Sequence, residues 1–209
     1  MSDLTIAVPR GALFTGTLDL LDRLGVDTGE VRSNERKLVF AEAGLVTMRP
    51  SDVPTYVEHG AADIGVTGKD VLMEQDRREV YELLDLGFGR CRMVVAAPAG
   101  QDALGRSLRR LGRVRVATKY PRVAARWFAE TGRQAEVVEV KGSVELAPLT
   151  GLVDAIVDLT ATGRTLAENQ LEVVEEIGEC TARLIANPVA HKLKAEQLDA
   201  LVERIRGRP

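Results

Sequence analysis

Residues 154–166 read DAIVDLTATGRTL: an apolar strand that ends in an acidic residue, a hydroxyl-rich turn with one glycine, and the start of a helix. In open α/β sheets the carboxyl ends of the strands face the ligand crevice, so this turn is expected to lie where a ligand binds. Its backbone N–H groups and the partial positive charge of the following helix favour a phosphate group. A turn capped by an ordinary threonine is the structural alternative, because threonine is a common N-cap.

Each polar residue of this segment has an expected role in binding a phosphorylated sugar. Asp158 ends the strand, where its carboxylate can accept hydrogen bonds from ribose hydroxyls. Gly163 allows the backbone to approach a ligand closely. The other turn residues complete the phosphate site, with the threonine hydroxyls as further donors; they are Thr160, Ala161, Thr162, Arg164 and Thr165. The GxxxxGK[ST] pattern is absent, so the turn is not a Walker loop.

Short β-branched runs alternate with amphipathic segments along the rest of the chain, which predicts an α/β fold with largely parallel sheets. The predicted strands are Leu4–Val8, Lys37–Ala41, Leu45–Met48, Ala62–Val66, Val94–Ala97, Val114–Thr118, Val137–Val140 and Ala155–Leu159. The predicted helices are one through Leu18, Leu21 and Leu24, and then Ser51–His59, Lys69–Gln75, Val123–Thr131, Leu166–Gln170 and Leu193–Ile205.

The length of 209 residues allows one large domain or two small ones. No Pro/Gly/Ser-rich linker is present, so strand crossovers must divide the chain. Candidate crossovers lie at Gly87–Arg92 and Gly178–Cys180. They predict a discontinuous first domain, residues 1–90 with 180–209, and a second domain, residues 91–179, that carries the phosphate turn.

Composition restricts the classes of function. With 28 basic and 31 acidic residues the net charge is −3, which argues against a dedicated nucleic-acid binder. No stretch approaches the ~20 apolar residues of a membrane span, and the first strand lacks a basic leader, so a cytoplasmic protein is expected. Cys91 and Cys180 are expected to be reduced and mostly buried thiols. His59 and His191 show no metal-ligand spacing, and no protein metal site is expected.

Other charged residues follow predicted strands or begin predicted helices. Arg10 and Gly11 follow the first strand, Arg49 follows Leu45–Met48, and Asp70, Lys119 and Glu145 lie at further strand-to-helix turns. Arginine and lysine there can bind phosphate groups. Solvated surface cations and helix-end carboxylates are the structural alternatives. A core position is expected for Trp127.

Several segments together resemble one family. Residues 154–166 resemble the phosphoribosyl-pyrophosphate loop of phosphoribosyltransferases. Five further segments contribute to the resemblance: residues 9–11 (PRG), 49–57 (RPSDVPTYV), 60–72 (GAADIGVTGKDVL), 118–121 (TKYP) and 141–149 (KGSVELAPL). In order and spacing they look like the short form of ATP phosphoribosyltransferase, the catalytic subunit that lacks a C-terminal regulatory domain. The resemblance covers residues 4–205.

That resemblance implies two α/β domains with a central cleft, similar to type II periplasmic binding proteins. It implies phosphoribosyl transfer from phosphoribosyl pyrophosphate to N1 of ATP, the first step of histidine biosynthesis, with Mg²⁺ held by the substrates. It also implies that Arg10 and Arg49 are catalytic residues and that Asp158–Thr165 binds phosphoribosyl pyrophosphate. Further residues bind ATP or line the cleft: Gly11, Asp70, Lys119, Glu145 and Asp154. The expected assembly is a homodimer, or a hetero-oligomer with a regulatory subunit related to histidyl-tRNA synthetase.

The chain departs from the family at two points. The family often reads PKGRL after the first strand, whereas residues 9–13 read PRGAL, so Ala12 removes one basic group near the expected triphosphate. Leu159 follows Asp158, where purine-salvage phosphoribosyltransferases have a second acid. A small-molecule binding module and an inactive interaction protein remain alternatives. The turn from Asp158 to Gly163 counts against both, because neither needs it.

Overall fold

The computed structural model describes residues 4–207. They form two compact units: the first holds the chain up to Gly89 together with the chain from Thr181 onward, and the second is Arg90–Cys180. None of the helices within residues 4–207 has the length and apolar character needed to cross a membrane.

Eleven strands and ten α-helices are found within the described residues. The strands are β1 (Ile6–Pro9), β2 (Val39–Phe40), β3 (Leu45–Met48), β4 (Ile64–Gly68), β5 (Tyr81–Asp85), β6 (Cys91–Pro98), β7 (Val114–Thr118), β8 (Ala135–Glu139), β9 (Ala155–Thr160), β10 (Leu171–Cys180) and β11 (Ala182–Ala186). The helices are α1 (Phe14–Arg23), α2 (Gly29–Ser33), α3 (Val53–Glu58), α4 (Lys69–Glu74), α5 (Ala103–Leu111), α6 (Pro121–Glu130), α7 (Leu146–Leu149), α8 (Arg164–Glu168), α9 (Pro188–Leu193) and α10 (Ala195–Arg206).

The first unit is built on a six-stranded sheet with the order β2-β3-β1-β4-β11-β5. Only β1 runs parallel to its neighbours, β3 and β4, and the other pairs are antiparallel. Apolar residues cover both faces of the sheet. Leu18 and Leu21 of α1 pack in one buried cluster with Val8, while Val53 and Val57 of α3 pack on the opposite face with Ala7. The alternation of strand side chains thus places consecutive residues of β1 in two separate cores.

The second unit has a five-stranded sheet with the order β10-β6-β9-β7-β8. Here β7 is parallel to β8 and β9, whereas β6 is antiparallel to β9 and β10. Ile156 of β9 lies in a buried cluster with Val94, Ala117, Ala147 and Leu166. The strand that leads to the phosphate turn is therefore fixed at the centre of a core.

The expectation of largely parallel sheets is wrong, because both sheets are mixed. The antiparallel pairs in both sheets come mainly from the strands beside the two connections between the units. β5 and β6 flank the first connection, β10 and β11 flank the second, and all four take part only in antiparallel pairs. Cys91 and Cys180 are register partners across β6 and β10 and are not joined by a disulfide. Cys180 is buried and Cys91 is partly exposed.

The predicted final helix is two helices, α9 and α10, which meet at Lys194. A separate helix begins at Pro188 because the Asn187 side chain accepts hydrogen bonds from the backbone of Val189 and Ala190. Leu193, the first residue of the predicted helix, is 78% exposed, whereas Leu198, Leu201 and Ile205 are buried.

The core position expected for Trp127 is also wrong. Its indole ring is half-buried, and Nε1 donates to Glu175 Oε2 at 3.1 Å. The neighbouring Phe128 is 1% exposed and fills the core instead. An indole at the margin of a core keeps its N–H bonded, which explains this arrangement.

Candidate active site

Lys119 and Asp158 stand side by side at the carboxyl edge of the second sheet. They follow the register partners Thr118 and Val157 of the parallel strands β7 and β9. Lys119 Nζ lies 3.7 Å from Asp158 Oδ2. The Thr118 hydroxyl donates to the carbonyl of Val157 at 2.7 Å, which fixes the two strand ends to each other. An ion pair is thus held where parallel strands end, the expected place for a ligand.

Burial raises the pKa of Asp158 above its ordinary value. The carboxylate of Glu145 raises this pKa further, while the backbone N–H of Leu159 and the Lys119 cation lower it. The Leu159 N–H donates to Asp158 Oδ1 at 2.9 Å, and the Asp158 side chain is 13% exposed. Asp158 is therefore a partly desolvated acceptor whose ionised form depends on Lys119.

Glu145 is the third charged group at this edge. It is the residue before α7 and makes no side-chain capping hydrogen bond to that helix. Since it does not cap α7, the capping interpretation of Glu145 is wrong. Its carboxylate instead acts electrostatically on Asp158. The fold thus brings together Lys119 after β7, Glu145 before α7 and Asp158 in β9.

The turn after β9 presents backbone donors to solvent. Gly163 adopts a left-handed conformation with φ +77°, and its N–H donates to the Thr160 hydroxyl at 2.9 Å. No described residue accepts a hydrogen bond from the backbone N–H of Ala161 or Thr162. No atom lies within 4 Å of the position that a Gly163 Cβ would take. The concave side of the turn is therefore open and rich in donors.

The helix after this turn begins and ends two residues earlier than the sequence predicts. It is α8, Arg164–Glu168, and Leu166 fixes it in the core. Arg164 and Thr165 are therefore its first residues, and both side chains are exposed. A single helical turn has a small dipole, so the donors of the turn itself provide most of its affinity for an anion.

Asp154 does not lie with these residues. It precedes β9, at the strand end opposite Asp158, and its Oδ2 accepts from the backbone N–H of Arg115 at 2.8 Å. The backbone N–H of Asp154 also donates to the carbonyl of Arg115 at 2.9 Å. The structure thus separates Asp154 from the turn with which the sequence groups it.

In the first unit, Arg10 and Arg49 also follow register partners. Pro9 pairs with Met48 across the parallel strands β1 and β3, so the two arginines end neighbouring strands. Arg10 is held by three contacts: Nε donates to Thr47 Oγ1 at 3.1 Å, Nη2 donates to the Lys37 carbonyl at 2.8 Å, and the guanidinium lies 5.5 Å from the Phe14 ring centroid. Arg10 is therefore a positioned cation.

Arg49 is exposed, and no described residue forms a hydrogen bond or ion pair with its side chain. Its backbone is nevertheless fixed. The Thr67 hydroxyl donates to the Pro50 carbonyl at 3.0 Å, and Gln75 Nε2 donates to the Ser51 carbonyl at 2.8 Å. A fixed backbone with an unoccupied guanidinium is suited to binding an anion.

Gly11 and Asp70 complete this edge. Gly11 has φ +88° and opens the turn between β1 and α1, with no atom near its absent side chain. Asp70 lies in the first turn of α4, directly after β4, and its carboxylate folds against Gly68, where a Cβ would clash. Arg10, Gly11, Arg49 and Asp70 thus share the carboxyl edge of β1, β3 and β4.

Sequence reasoning missed the buried hydroxyls that hold these arginines. Thr47 is 3% exposed and Thr67 is fully buried, and each bonds to the segment that carries or supports a candidate arginine. The available signal was a threonine at a core-facing position of an otherwise apolar strand. Such a hydroxyl needs a partner, so it indicates a fixed polar contact.

No group of three or more His, Cys, Asp or Glu side chains able to hold a metal ion occurs in the described part of the chain. Asp158 and Glu145 offer isolated carboxylate oxygens at one edge. Oxygen ligands of this kind suit a hard divalent cation that takes its remaining ligands from a substrate and water.

The chain is similar to known proteins of one family. The family model for ATP phosphoribosyltransferase (HisG) matches residues 49–207. The chain belongs to the ATP phosphoribosyltransferase family. It is 52% identical to an ATP phosphoribosyltransferase from Rubrobacter xylanophilus, over 100% of this chain and 99% of that protein. Identity to the ATP phosphoribosyltransferase of Desulfitobacterium hafniense is 48%, over 97% and 95% of the two chains.

Solved structures agree with this family and with its fold. The ATP phosphoribosyl transferase (HisG:HisZ) complex from Thermotoga maritima contains a chain with a TM-score of 0.82 and 36% identity, covering 98% of this chain and 96% of that one. The periplasmic aliphatic sulphonate binding protein SsuA from Escherichia coli has a TM-score of 0.56 at 13% identity, covering 99% and 79%. The second likeness concerns the fold alone and confirms the expected similarity to periplasmic binding proteins.

Proposed function

We propose that this ATP phosphoribosyltransferase joins N1 of ATP to C1 of phosphoribosyl pyrophosphate in the first step of histidine biosynthesis. N1 attacks C1 with its lone pair, the bond from C1 to the pyrophosphate oxygen breaks, and pyrophosphate leaves with that electron pair. A ring nitrogen is already nucleophilic, so the reaction needs positioning and charge stabilisation more than a strong base. Family membership over the whole chain supports this activity.

The observation that carries the proposed site is the edge formed by Lys119, Asp158 and the turn after β9. We place the ribose 5-phosphate in that turn. The backbone N–H groups of Ala161 and Thr162 donate to the phosphate, with Thr160, Arg164 and Thr165 around them. The Asp158 carboxylate accepts from the ribose hydroxyls, and the backbone N–H of Leu159 and the Lys119 cation favour its ionised form against the effect of burial.

The arginines of the first unit suit the negative charge of the substrates. Arg10 and Arg49 neutralise the leaving pyrophosphate or the ATP triphosphate, with Arg10 oriented by Thr47. Gly11 leaves room for a phosphate beside Arg10, and Asp70 offers a carboxylate acceptor at the same edge of the first sheet. Asp154 lies at the opposite strand end and has no part in this site.

Mg²⁺ fits this set of residues as a substrate-bound ion. The described carboxylates form no metal cluster, so the cation would be held by phosphate oxygens and water, with Asp158 or Glu145 nearby. When bound, it supplies positive charge to the departing pyrophosphate.

A regulatory partner fits the relatives. The solved Thermotoga maritima protein is a HisG:HisZ complex, and this chain covers 96% of its matching chain. We propose that this chain, as a homodimer or a hetero-oligomer, works with a HisZ-type regulatory subunit, related to histidyl-tRNA synthetase, in the cytoplasm.

One assay tests the activity. Purified chain is incubated with ATP, phosphoribosyl pyrophosphate and Mg²⁺, with and without the co-expressed partner, and the products are separated by chromatography. Phosphoribosyl-ATP and pyrophosphate should appear in equal amounts. Pyrophosphate without phosphoribosyl-ATP, or no reaction in either sample, would refute the proposal.

A further inference from the structure

Arginines are concentrated in one short segment of this acidic chain. Residues 106–115 read RSLRRLGRVR and contain five arginines and no lysine, in a protein whose net charge is −3. Three of them are exposed on α5, where Arg109 and Arg110 follow Arg106 by three and four positions. Like charges at these spacings repel each other and destabilise a helix. Arg109 and Arg110 lie in the last turn of α5, where the helix dipole favours cations. That effect does not account for Arg106, in the middle of the helix, or for Arg115, in β7.

These arginines surround an open pocket of about 620 Å³. The lining residues are Ala103, Arg106, Ser107, Arg109, Arg110, Leu111, Arg115 and Asp154. Four arginines and one acidic residue, Asp154, thus line the same concavity. The volume is in the range of ordinary small-molecule sites.

The acceptors within the protein do not satisfy this group of donors. Arg115 Nε is buried without a hydrogen-bond partner, and Arg115 Nη2 lies 3.6 Å from Asp154 Oδ1, beyond hydrogen-bond distance. Asp154 instead uses its other oxygen to accept from the backbone of Arg115. No described residue pairs with the side chain of Arg110. Arg110 therefore has donors available for an external anion, and no hydrogen bond within the described residues holds the Arg115 guanidinium.

The other two arginines are only partly engaged. Arg109 Nη2 donates to Asp102 at 2.8 Å, and Arg106 Nη2 donates to Gln101 at 2.9 Å. Both bonds are exposed and leave further guanidinium N–H groups free to turn toward the pocket. Arginine presents its donors in a planar fork that matches phosphate oxygens, which favours a phosphate over a simple halide.

The pocket is distinct from the proposed active site. Asp154 and Arg115 lie at the amino ends of β9 and β7, whereas Asp158 and Lys119 lie at the carboxyl ends. Four residues along each strand separate Arg115 from Lys119 and Asp154 from Asp158, a distance of about 13 Å. A ligand in the arginine pocket therefore cannot be the substrate bound by the turn after β9.

We propose that this arginine pocket, formed by α5 and the start of β7, is a second anion site that binds a small molecule carrying at least two phosphate charges. The site does not depend on the proposed function. Because β7 and β9 connect it to Lys119 and Asp158, an occupant contacts the strands that carry the catalytic edge.

The test uses inorganic tripolyphosphate as the probe in titration calorimetry on the full chain. The double variant Arg110→Gln/Arg115→Gln removes the two arginines whose guanidinium groups no hydrogen bond within the described residues holds, and Arg113→Gln is the matched control, because Arg113 pairs with Glu136 outside the pocket. We expect the wild type to bind one tripolyphosphate per chain at this pocket. The dissociation constant for that site should rise at least tenfold in the double variant and stay unchanged in the control. Binding should also weaken with added salt.

Equal tripolyphosphate binding by the double variant and the wild type, with equal melting temperatures, would overturn the proposal. A double variant that binds tripolyphosphate as the wild type does but no longer binds an acidic protein partner would also overturn the proposal. That result would assign the arginine surface to the protein partner. If the double variant does not fold, tungstate soaked into wild-type crystals gives the answer. Anomalous density between Arg110 and Arg115 supports the site, and its absence there overturns it.

Discussion

Lys119 Nζ lies 3.7 Å from Asp158 Oδ2, and the two residues end neighbouring parallel strands of the second sheet. Burial raises the pKa of Asp158, and the lysine opposes that rise. The pair therefore sets the pH at which Asp158 becomes an acceptor for ribose hydroxyls. The pH dependence of turnover and the melting temperature should both depend on this ion pair.

The kcat/KM for phosphoribosyl pyrophosphate should fall on the acidic side as Asp158 becomes protonated. Because the pKa of Asp158 is raised, this fall should occur above the pH at which an ordinary aspartate titrates. Lys119→Met removes the cation that lowers this pKa, so the acidic limb should move to higher pH. A pH–rate profile measures both, and identical acidic limbs in wild type and Lys119→Met would contradict the assignment.

Asp158→Asn should raise the melting temperature at neutral pH while it impairs turnover. The folded chain binds the Asp158 proton more tightly than the unfolded chain does. Its contribution to the free energy of unfolding therefore decreases as pH rises from the ordinary pKa through the raised one. The neutral amide avoids this loss and can still accept from Leu159. Calorimetry at several pH values checks this, and a melting temperature lower than wild type at neutral pH would contradict it.

Gly163→Val should greatly weaken the use of phosphoribosyl pyrophosphate. Valine at φ +77° is strained and places methyl groups on the open side of the turn. Gly132→Val is the matched control, since Gly132 has φ +70° and equal open space but lies after α6. Both variants should lose about 1–2 kcal/mol of stability, and only Gly163→Val should raise the KM. Equal kinetics for the two variants would remove the turn from the site.

Arg49→Ala should lower kcat/KM by about 30- to 1,000-fold, the equivalent of about 2–4 kcal/mol of transition-state binding. The exposed guanidinium has no partner among the described residues, so the melting temperature should change little. Arg77→Ala, at another exposed arginine, is the control and should leave the kinetics unchanged. Wild-type kcat/KM for both substrates in Arg49→Ala would exclude Arg49.

Thr47→Val tests whether Arg10 must be oriented. The variant keeps the buried shape but removes the oxygen that accepts from Arg10 Nε. One lost hydrogen bond of about 0.5–1.5 kcal/mol predicts a fall in kcat/KM of about two- to tenfold. Thr17→Val removes another buried hydroxyl, one that bonds to the Leu13 carbonyl, and should affect stability alone. A similar kinetic loss in both variants would argue against a positioning role.

Much of the fold could be predicted from local pattern. The strands Leu45–Met48 and Val114–Thr118 have the predicted bounds, and β9 extends its predicted strand by one residue. Apolar β-branched runs ended by polar turns gave these elements. β10 was missed because its sequence, LEVVEEIGEC, is mostly exposed and its pairing has two register shifts. α5 was missed because arginines interrupt its apolar positions.

The candidate residues were predictable individually, but their grouping was not. Lys119 and Asp158 are far apart in sequence and meet only because β7 pairs with β9, a non-local contact that no local pattern contains. The same applies to Arg10 and Arg49 across β1 and β3. Asp154 was expected to bind ATP or line the cleft together with Lys119, yet it lies at the opposite end of β9 from Asp158 and Lys119.

Formation of the bond between N1 of ATP and C1 of the ribose tests the central claim most directly. ATP labelled with nitrogen-15 at N1 is incubated with phosphoribosyl pyrophosphate labelled with carbon-13 at C1, Mg²⁺, this chain and its co-expressed regulatory partner. The account predicts a product with one-bond coupling between the two labels, formed by the wild type and strongly reduced in Gly163→Val. A folded wild-type complex that yields no coupled product, or a coupled product formed equally by Gly163→Val, would contradict it.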